Sequence, residues 1–357
     1  KPEARGPLGA CRTCLVEVEG APRLAAACHT PVAEGQAIRT NSQKAERVRR
    51  GVLDLTIGMS ADGEGRGQAA HHARSHGLHV STFEPQPRPV THESNHFFDL
   101  NMPDCILCGR CVDACQDTQH IGAIGINGRG QAARIGVAFD LAWEESICTS
   151  CGQCISQCPT GALIQKHDVP ARESGRGDAS AVEVVRTTCP YCGVGCGLDV
   201  NVRDGNVVWV DGVAENGSSL GMTCVKGRFG LDYVSSPDRL TTPLVRRDGA
   251  LQPASWDDAL DLVARRFAAS VGAFAGIASA KATNEDGYAM QKFVRAVMGT
   301  NSIDHCSRLC HAPSVVALQE QIGSGATSNS YEDYDHAGTL LVVGSDTGQN
   351  HPVVASR

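Results

Sequence analysis

Aromatic side chains are scarce in this sequence: 4% of 357 residues, with 3 Trp and 5 Tyr. One large aromatic-packed core is a poor fit to that composition. Several small, turn-rich domains suit it better, and the 39 glycines agree. No run of about 18 apolar residues occurs, so no transmembrane helix is expected. Acidic residues outnumber basic ones, the net charge is −7 and no long basic run exists, which argues against nucleic acid as a partner. No Met opens the chain and no signal peptide is visible. "CRTCLVEVEG" already begins at residue 11, and "LLVVGSDTGQNHPVVASR" stops just after an expected strand and loop. The chain therefore reads as a piece of a longer protein.

What abounds is cysteine, with 17 copies. Disulfide frameworks favour short secreted chains, whereas these cysteines recur as C-x2-C units, which is ligand spacing. Metal sites are expected. Apolar residues at 41% predict that most of the chain is globular.

Along the chain, "TCLVEVEG" predicts a strand running into a turn within residues 1–41. Ala45, Val48, Val52, Leu55 and Met59 recur at helical steps and predict an amphipathic helix over 42–59. Residues 60–97 read as a polar, Gly- and His-rich connector. Residues 98–170 hold an internal repeat, "CILCGRCVDAC" against "CTSCGQCISQC". "ARESGRGDASA" over 171–181 reads as a linker. Strand-like runs such as "VVWV" surround a further cysteine set at 189–224. Then come a helix capped by Ser255 and Asp258, with Trp256, Leu260, Val263 and Phe267 on one side, and a strand near 274–278. A helix near 285–298 closed by Gly299 and a strand at 339–343 follow. That alternation predicts the start of a parallel sheet.

Cys105, Cys108, Cys111 and Cys115 form C-x2-C-x2-C-x3-C, and Cys148, Cys151, Cys154 and Cys158 repeat it before Pro159. This is the bacterial ferredoxin spacing, in which the fourth Cys of each run serves the other cluster. One [4Fe–4S] cluster is expected on Cys105, Cys108, Cys111 and Cys158, and a second on Cys148, Cys151, Cys154 and Cys115. Structural zinc prefers two C-x2-C pairs to triplets. Cys189, Cys192, Cys196 and Cys224 form a third set. Its spacing alone leaves [4Fe–4S] and zinc both open; the company of two electron-transfer clusters points to a third [4Fe–4S].

"CPYCGVGCGLDV…GMTCVKGRFG" resembles the N-terminal cluster domain of the molybdenum/tungsten bis-pterin guanine dinucleotide oxidoreductases. The resemblance implies that Lys226, two residues after Cys224, lies between cluster and pterin; without it Lys226 is an ordinary solvated lysine. "GACRTCLVEVEG" and "CHTPVAEGQAIRT" resemble the ferredoxin-like start of complex I large subunits and of soluble NAD-linked formate dehydrogenases. That likeness implies a [2Fe–2S] site using Cys11, Cys14 and Cys28, with its first Cys upstream of Lys1 and therefore incomplete here. Many such relatives carry a further cluster with one His and three Cys. Residues 29–104 contain no Cys, so that cluster is expected to be absent. His71, His72, His76, His79 and His92 are read as solvated.

These sets leave Cys306 and Cys310. On spacing alone they are equally a pair of buried thiols. "NSIDHCSRLCHAPSV" resembles the active-site segment of the formate dehydrogenases of the bis-pterin family. The resemblance implies that Cys310 ligates Mo or W, with His311 beside it, and leaves Cys306 as a buried thiol. Soft thiolate suits such a metal, and an imidazole there can hold a proton. "TLLVVGSDTGQNHP" resembles the loop that contacts the pterin dinucleotide, implying contacts from Gly344, Ser345, Asp346 and His351. Asp346 stands where the family often has Asn, and a carboxylate there would repel a phosphate.

The expected fold is multidomain, α+β and α/β. Its parts are a truncated 2Fe–2S ferredoxin-like domain (1–57), a connector (58–97) and a two-[4Fe–4S] ferredoxin domain (98–170). A linker (171–184), a small 4Fe–4S domain (185–240) and the start of an α/β molybdopterin oxidoreductase domain (241–357) follow. The implied activity is formate oxidation to CO2 at a Mo or W bis-molybdopterin guanine dinucleotide. Electrons would pass through three [4Fe–4S] clusters and one [2Fe–2S] to flavin and Fe–S, NADH-dehydrogenase-like subunits in the cytoplasm. The chain alone would be inactive. Two alternatives stay open, a metal-free complex I large-subunit-like module and another bis-pterin enzyme such as a nitrate reductase. The Cys310–His311 pair speaks against both.

Overall fold

A computed structural model of the chain describes residue 9 and residues 11–86, 95–166 and 182–357. The linker is outside the described residues up to 181, and so is His92. Residues Tyr233–Leu340 make one compact unit; the chain up to Asp232 and from Leu341 to Arg357 makes the other.

In the larger unit, β1 (Leu15–Val18) pairs antiparallel with β2 (Ala25–Ala26) and β3 (Ile38–Arg39). Gly20, at φ 79°, makes the turn that only glycine adopts without strain. Helix α1 (Gln43–Ile57) starts where the Ser42 side chain accepts from the Ala45 amide, 3.2 Å. The helix stands where the apolar steps predict it, with Ala45 of that row buried and Val48, Val52 and Met59 half-buried. Leu55 is exposed, and Ala45, Leu53 and Ile57 are buried. The buried row runs in steps of four and has Arg49 in its middle, a residue that apolar periodicity passes over. Arg49 donates to the carbonyls of Thr13, Leu15 and Thr40 at 3.0, 3.0 and 2.9 Å, tying α1 to the Cys11–Cys14 loop and β1.

The expected connector contains a helix, α2 (Gly67–Ser75), whose buried alanines 69, 70 and 73 escape a pattern search for large apolar residues. Leu53, Ile57, Ala73 and Leu78 share a small core. The start of α2 meets the next domain. The Gln68 amide donates to Pro159 O at 2.8 Å, and Arg66 pairs with Asp104 at 3.0 Å.

The repeat region folds with approximate internal symmetry. β4 (Phe98–Leu100) is followed by α3 (Arg110–Asp113), β5 (Ile124–Asn127), β6 (Arg134–Val137), α4 (Gln153–Gln157) and β7 (Leu163–Gln165). β4 pairs with β7 and β5 with β6, both antiparallel. Phe98 meets Trp143 edge to face at 5.2 Å in a core that also takes in Cys105, Cys111, Cys115 and Cys154. Next, β8 (Glu183–Thr188), β9 (Gly197–Arg203) and β10 (Asn206–Gly212) form an antiparallel sheet with β9 central, and α5 (Val225–Phe229) follows.

In the smaller unit, β11 (Leu244–Arg247) and β12 (Ala250–Pro253) make a hairpin. α6 (Trp256–Ala268) starts at Ser255, whose side chain accepts from the Asp258 amide. β13 (Gly276–Ala278) lies parallel to β14 (Ile303–His305), joined through α7 (Asn284–Lys292), a βαβ unit as expected of a parallel sheet. The reciprocal capping box is at Thr283 and Asp286, not at Ser255. α8 (Ser307–Cys310), α9 (Ala312–Ile322) and α10 (Glu332–His336) follow. α6 forms where expected, and Trp256, Leu260 and Val263 on its apolar side are exposed. Residues 339–343, expected as a strand, form none; they are exposed and have no partner strand among the described residues. The last helices, α11 (Thr347–Asn350) and α12 (Pro352–Ser356), belong to the larger unit, where Val353 is buried beside the third cysteine set.

A Cβ on Gly212 would lie 2.2 Å from Gly221 O, so β10 and the loop leading to Cys224 touch backbone to backbone. Gly212→Ala is expected to cost about 1–3 kcal/mol, the usual cost of overpacking. Chemical denaturation of the larger unit checks this.

Candidate functional site

The repeat places its cysteines through paired backbone kinks. Leu107 and Gly109 have φ of 49° and 77°, and Ser150 and Gly152 have 53° and 72°. Alternating right- and left-handed residues turn successive amides to one side, a concavity suited to an anionic group. The amides of Leu107 and Ser150 point to Cys105 Sγ and Cys148 Sγ, each at 3.4 Å, and that of Ala123 to Cys115 Sγ at 3.2 Å.

Three apolar hollows result. The first is lined by Cys105, Cys108, Cys111 and Cys158. The second is lined by Cys115, Cys148, Cys151 and Cys154. Each fourth cysteine faces the hollow of the other run, which is the exchange that the ferredoxin spacing predicts. The third is lined by Cys189, Cys192, Cys196 and Cys224, together with Lys226, Pro352 and Val353. A Cβ on Gly227 would meet Cys189 Sγ at 3.4 Å, so α5 runs close past the third set. Among the described residues no three His, Cys, Asp or Glu converge closely enough to hold a single metal ion. A cubane spreads its thiolates over four corners and asks for a hollow between them, which is the arrangement present.

Burial pushes several of these thiols up: Cys151 to about 11 and Cys196 to about 12, with Cys111 and Cys154 well above the ordinary value. The negative charge of neighbouring cysteines adds to this at Cys111, Cys154 and Cys196. Four thiolates around one hollow need a cationic group among them, and binding it releases their protons. The donor set, the crossing and the amide-to-sulfur contacts all fit an iron–sulfur cluster.

At the start of the chain, Cys14 directly precedes β1 and Cys28 follows β2. A hydrogen bond with Cys14 and desolvation raise the Cys28 thiol. At Cys11 desolvation acts upward, but hydrogen bonds from Thr13 and the Arg110 charge outweigh it and lower the thiol. Arg110 directly precedes Cys111, so the N-terminal cysteines lie within electrostatic reach of the first hollow. His71, His72 and His79 are exposed, as expected, and His76 pairs with Glu46 at 2.5 Å.

Cys310 ends α8 and His311 stands at the joint with α9; both are exposed. Cys306 is also exposed, not the expected buried thiol; its sulfur accepts from the Ala280 amide at 3.4 Å. The segment follows β14, where Arg308 pairs with Asp304 at 2.6 Å. Cys310 and His311 belong to the smaller unit, while Lys226, Gly344, Ser345, Asp346 and His351 belong to the larger. Gly344 has φ 65°, and the Asp346 side chain accepts from the Gln349 amide to cap α11. That cap gives the unexpected carboxylate a local structural use.

Four family models match this chain. They are a 2Fe–2S iron–sulfur cluster binding domain (3–43), a 4Fe–4S dicluster domain (104–162), a molybdopterin oxidoreductase Fe4S4 domain (182–236) and molybdopterin oxidoreductase itself (239–357). Residues 182–236 and 239–357 thus match two successive domains of molybdopterin oxidoreductases. A protein of Staphylococcus haemolyticus named "Putative formate dehydrogenase" is 33% identical over 99% of this chain and 40% of its own length. A protein of the same name from Staphylococcus aureus strain USA300 is 32% identical over the same shares. The chain thus spans about 40% of the length of these relatives. A chain from the crystal structure of an NAD+-reducing [NiFe]-hydrogenase in the H2-reduced state matches 45% of this chain and 71% of its own length. It is 29% identical with a TM-score of 0.41.

The chain thus matches domain families for molybdopterin, 4Fe–4S and 2Fe–2S binding. Among its described residues no helix is long and apolar enough to cross a membrane. The fully buried Arg228 is the residue that sequence reasoning overlooked, since in "CVKGRFG" it reads as one more surface cation.

Raised thiols make the cluster-free protein sensitive to alkali. An unfolded thiol ionises from the ordinary value of 9.0 upward, while folded Cys196 holds its proton to about 12. Stability is then complete below pH 9.0 and falls as the pH rises toward 12. Denaturation midpoints of the cluster-free protein should drop across that window. Cluster-bound protein, its thiolates already deprotonated, should show no such drop.

Proposed function

We propose that this chain is the front part of the catalytic subunit of an NAD-linked formate dehydrogenase. The observation that carries the reading is the Cys310–His311 pair after a βαβ unit, in a chain that also holds three cysteine-lined hollows. The bis-molybdopterin guanine dinucleotide, with Mo or W, supplies the two-electron oxidation of formate to CO2. Cys310 binds the metal through its soft thiolate. His311, next in the chain, holds the proton released from formate or steers its hydrogen. Gly344, Ser345, Asp346 and His351 contact the dinucleotide, and Gly344 lets the backbone approach a phosphate.

Cys189, Cys192, Cys196 and Cys224 would hold a [4Fe–4S] cluster that takes the electrons, and Lys226, which lines the same hollow, would stand on the pterin side of it. Cys148, Cys151, Cys154 and Cys115 would hold the next carrier, and Cys105, Cys108, Cys111 and Cys158 the one after it. Cys11, Cys14 and Cys28 would supply ligands to a [2Fe–2S] carrier at the far end of the series. The Arg110 charge, one residue before Cys111, acts on Cys11, which supports placing the N-terminal site near the first hollow. Flavin and Fe–S subunits of NADH-dehydrogenase type then reduce NAD+ in the cytoplasm. The domain scheme at 1–57, 98–170, 185–240 and 241–357 follows this order of carriers.

In the full-length enzyme Cys310→Ala should abolish formate-dependent NAD+ reduction and leave the iron–sulfur spectra unchanged. His311→Ala should lower turnover by about 10²–10⁴-fold with metal retained. Normal formate turnover in the Cys310→Ala enzyme would sink the reading.

A further inference from the structure

Arg228 is a full cation with 0% side-chain exposure. Its guanidinium reaches into two cysteine domains at once. On the ferredoxin side Nε faces Cys151 O at 3.4 Å, Nη1 donates to Ser156 Oγ at 2.6 Å and Nη2 to Gln153 Oε1 at 3.3 Å. On its own side it donates to Thr223 Oγ1 at 3.1 Å, Asp211 Oδ1 at 2.9 Å and Val210 O. Thr223 in turn donates to Cys151 O at 3.1 Å. A Cβ on Gly152 would lie 2.8 Å from Arg228 Cγ, so glycine there is what admits the side chain. The next residue, Phe229, stacks on Phe97 at 4.8 Å.

The placement is specific. Arg228 lies one helical turn after Cys224, and it grips the backbone of Cys151. These are cysteines of two different hollows. A buried cation is costly unless anions face it. Among the described residues Asp211 is the carboxylate bonded to it, and that side chain is 33% exposed. A cluster held by four thiolates is a net anion and would supply the rest.

We infer that Arg228 is a positioning residue of the electron relay: it fixes the spacing between the Cys148–Cys154 cluster and the Cys189–Cys224 cluster, and its charge favours the reduced form of the former. The inference rests on the cluster assignment proposed above. Adding an electron to an anionic cluster beside a desolvated cation is easier than in its absence, because net charge and hydrogen bonding tune such potentials.

The test is an EPR-monitored redox titration of the full-length enzyme, with iron content measured on every sample. Arg228→Met and Arg228→Gln should lower the midpoint of the cluster that a Cys151→Ser exchange identifies. The expected size is at least tenfold in its reduction equilibrium, about 59 mV for one electron. Arg228→Lys, which keeps the charge, should recover most of it, and the Cys105–Cys111 cluster should not move. Asp211→Asn removes the opposing charge at a partly exposed side chain and should shift the same midpoint upward, which decides the matter if the Arg228 variants do not assemble. Full iron with an unmoved midpoint in the variants overturns the inference and leaves the cluster assignment standing. Wild-type enzyme with no [4Fe–4S] signal from the Cys148 set overturns both.

Discussion

The convergence of thiols on hollows inside small cores is the constraint on which the larger unit depends. Cys105, Cys111, Cys115 and Cys154 belong to the same buried cluster as Phe98, Trp143 and Ile155, so the sulfurs are core atoms as well as ligands. Cores of this size supply little stability by themselves, and a bound metal group commonly completes them. The strands β4–β7 and β5–β6 are short, three and four residues each. They set the ends of the cysteine loops more than they build a sheet. Paired left-handed residues then turn the amides inward toward sulfur. Sequence, local geometry and chemistry meet in the same few residues.

Charge follows from the same constraint. A hollow ringed by four thiolates is electrostatically untenable without a cationic core, and burial makes it more so. The protein answers with neutral amide donors at the sulfurs and with cations set one layer out. Arg110 precedes Cys111 and acts on Cys11; Arg228 joins Cys151 to α5. The Asp346 carboxylate, in turn, accepts from the Gln349 amide at the start of α11. The electrostatic design is local at each carrier, in keeping with a chain whose net charge is only −7.

Much of this was legible in the sequence because ligand spacing is a covalent constraint. The exchange of Cys115 and Cys158 between runs follows from two-residue gaps and a helical turn after each third cysteine. Strand β1, the βαβ unit and the Gly299 stop, at φ 67°, were legible from alternation and breakers. What was not legible depended on partners remote in sequence. Arg49 occupies a core row of α1 because backbone carbonyls 9 to 36 residues away receive it. Helix α2 packs with alanines, which carry too little hydrophobic contrast to mark a face. Residues 339–343 have a strand's composition and no neighbouring strand among the described residues. Cys306 reads as a core thiol by type and lies exposed, accepting from Ala280. Arg228 is buried by a second domain that local pattern cannot see.

The central claim is that this chain is wired by three four-iron clusters, two of which share their fourth ligands crosswise. Iron-edge anomalous diffraction from anaerobic crystals of the full-length enzyme tests it most directly. The account predicts three four-iron peaks within this region. The first is bound by Cys105, Cys108, Cys111 and Cys158, the second by Cys148, Cys151, Cys154 and Cys115, and the third by Cys189, Cys192, Cys196 and Cys224. Single zinc ions in those hollows, or runs that each close on their own fourth cysteine, would contradict it.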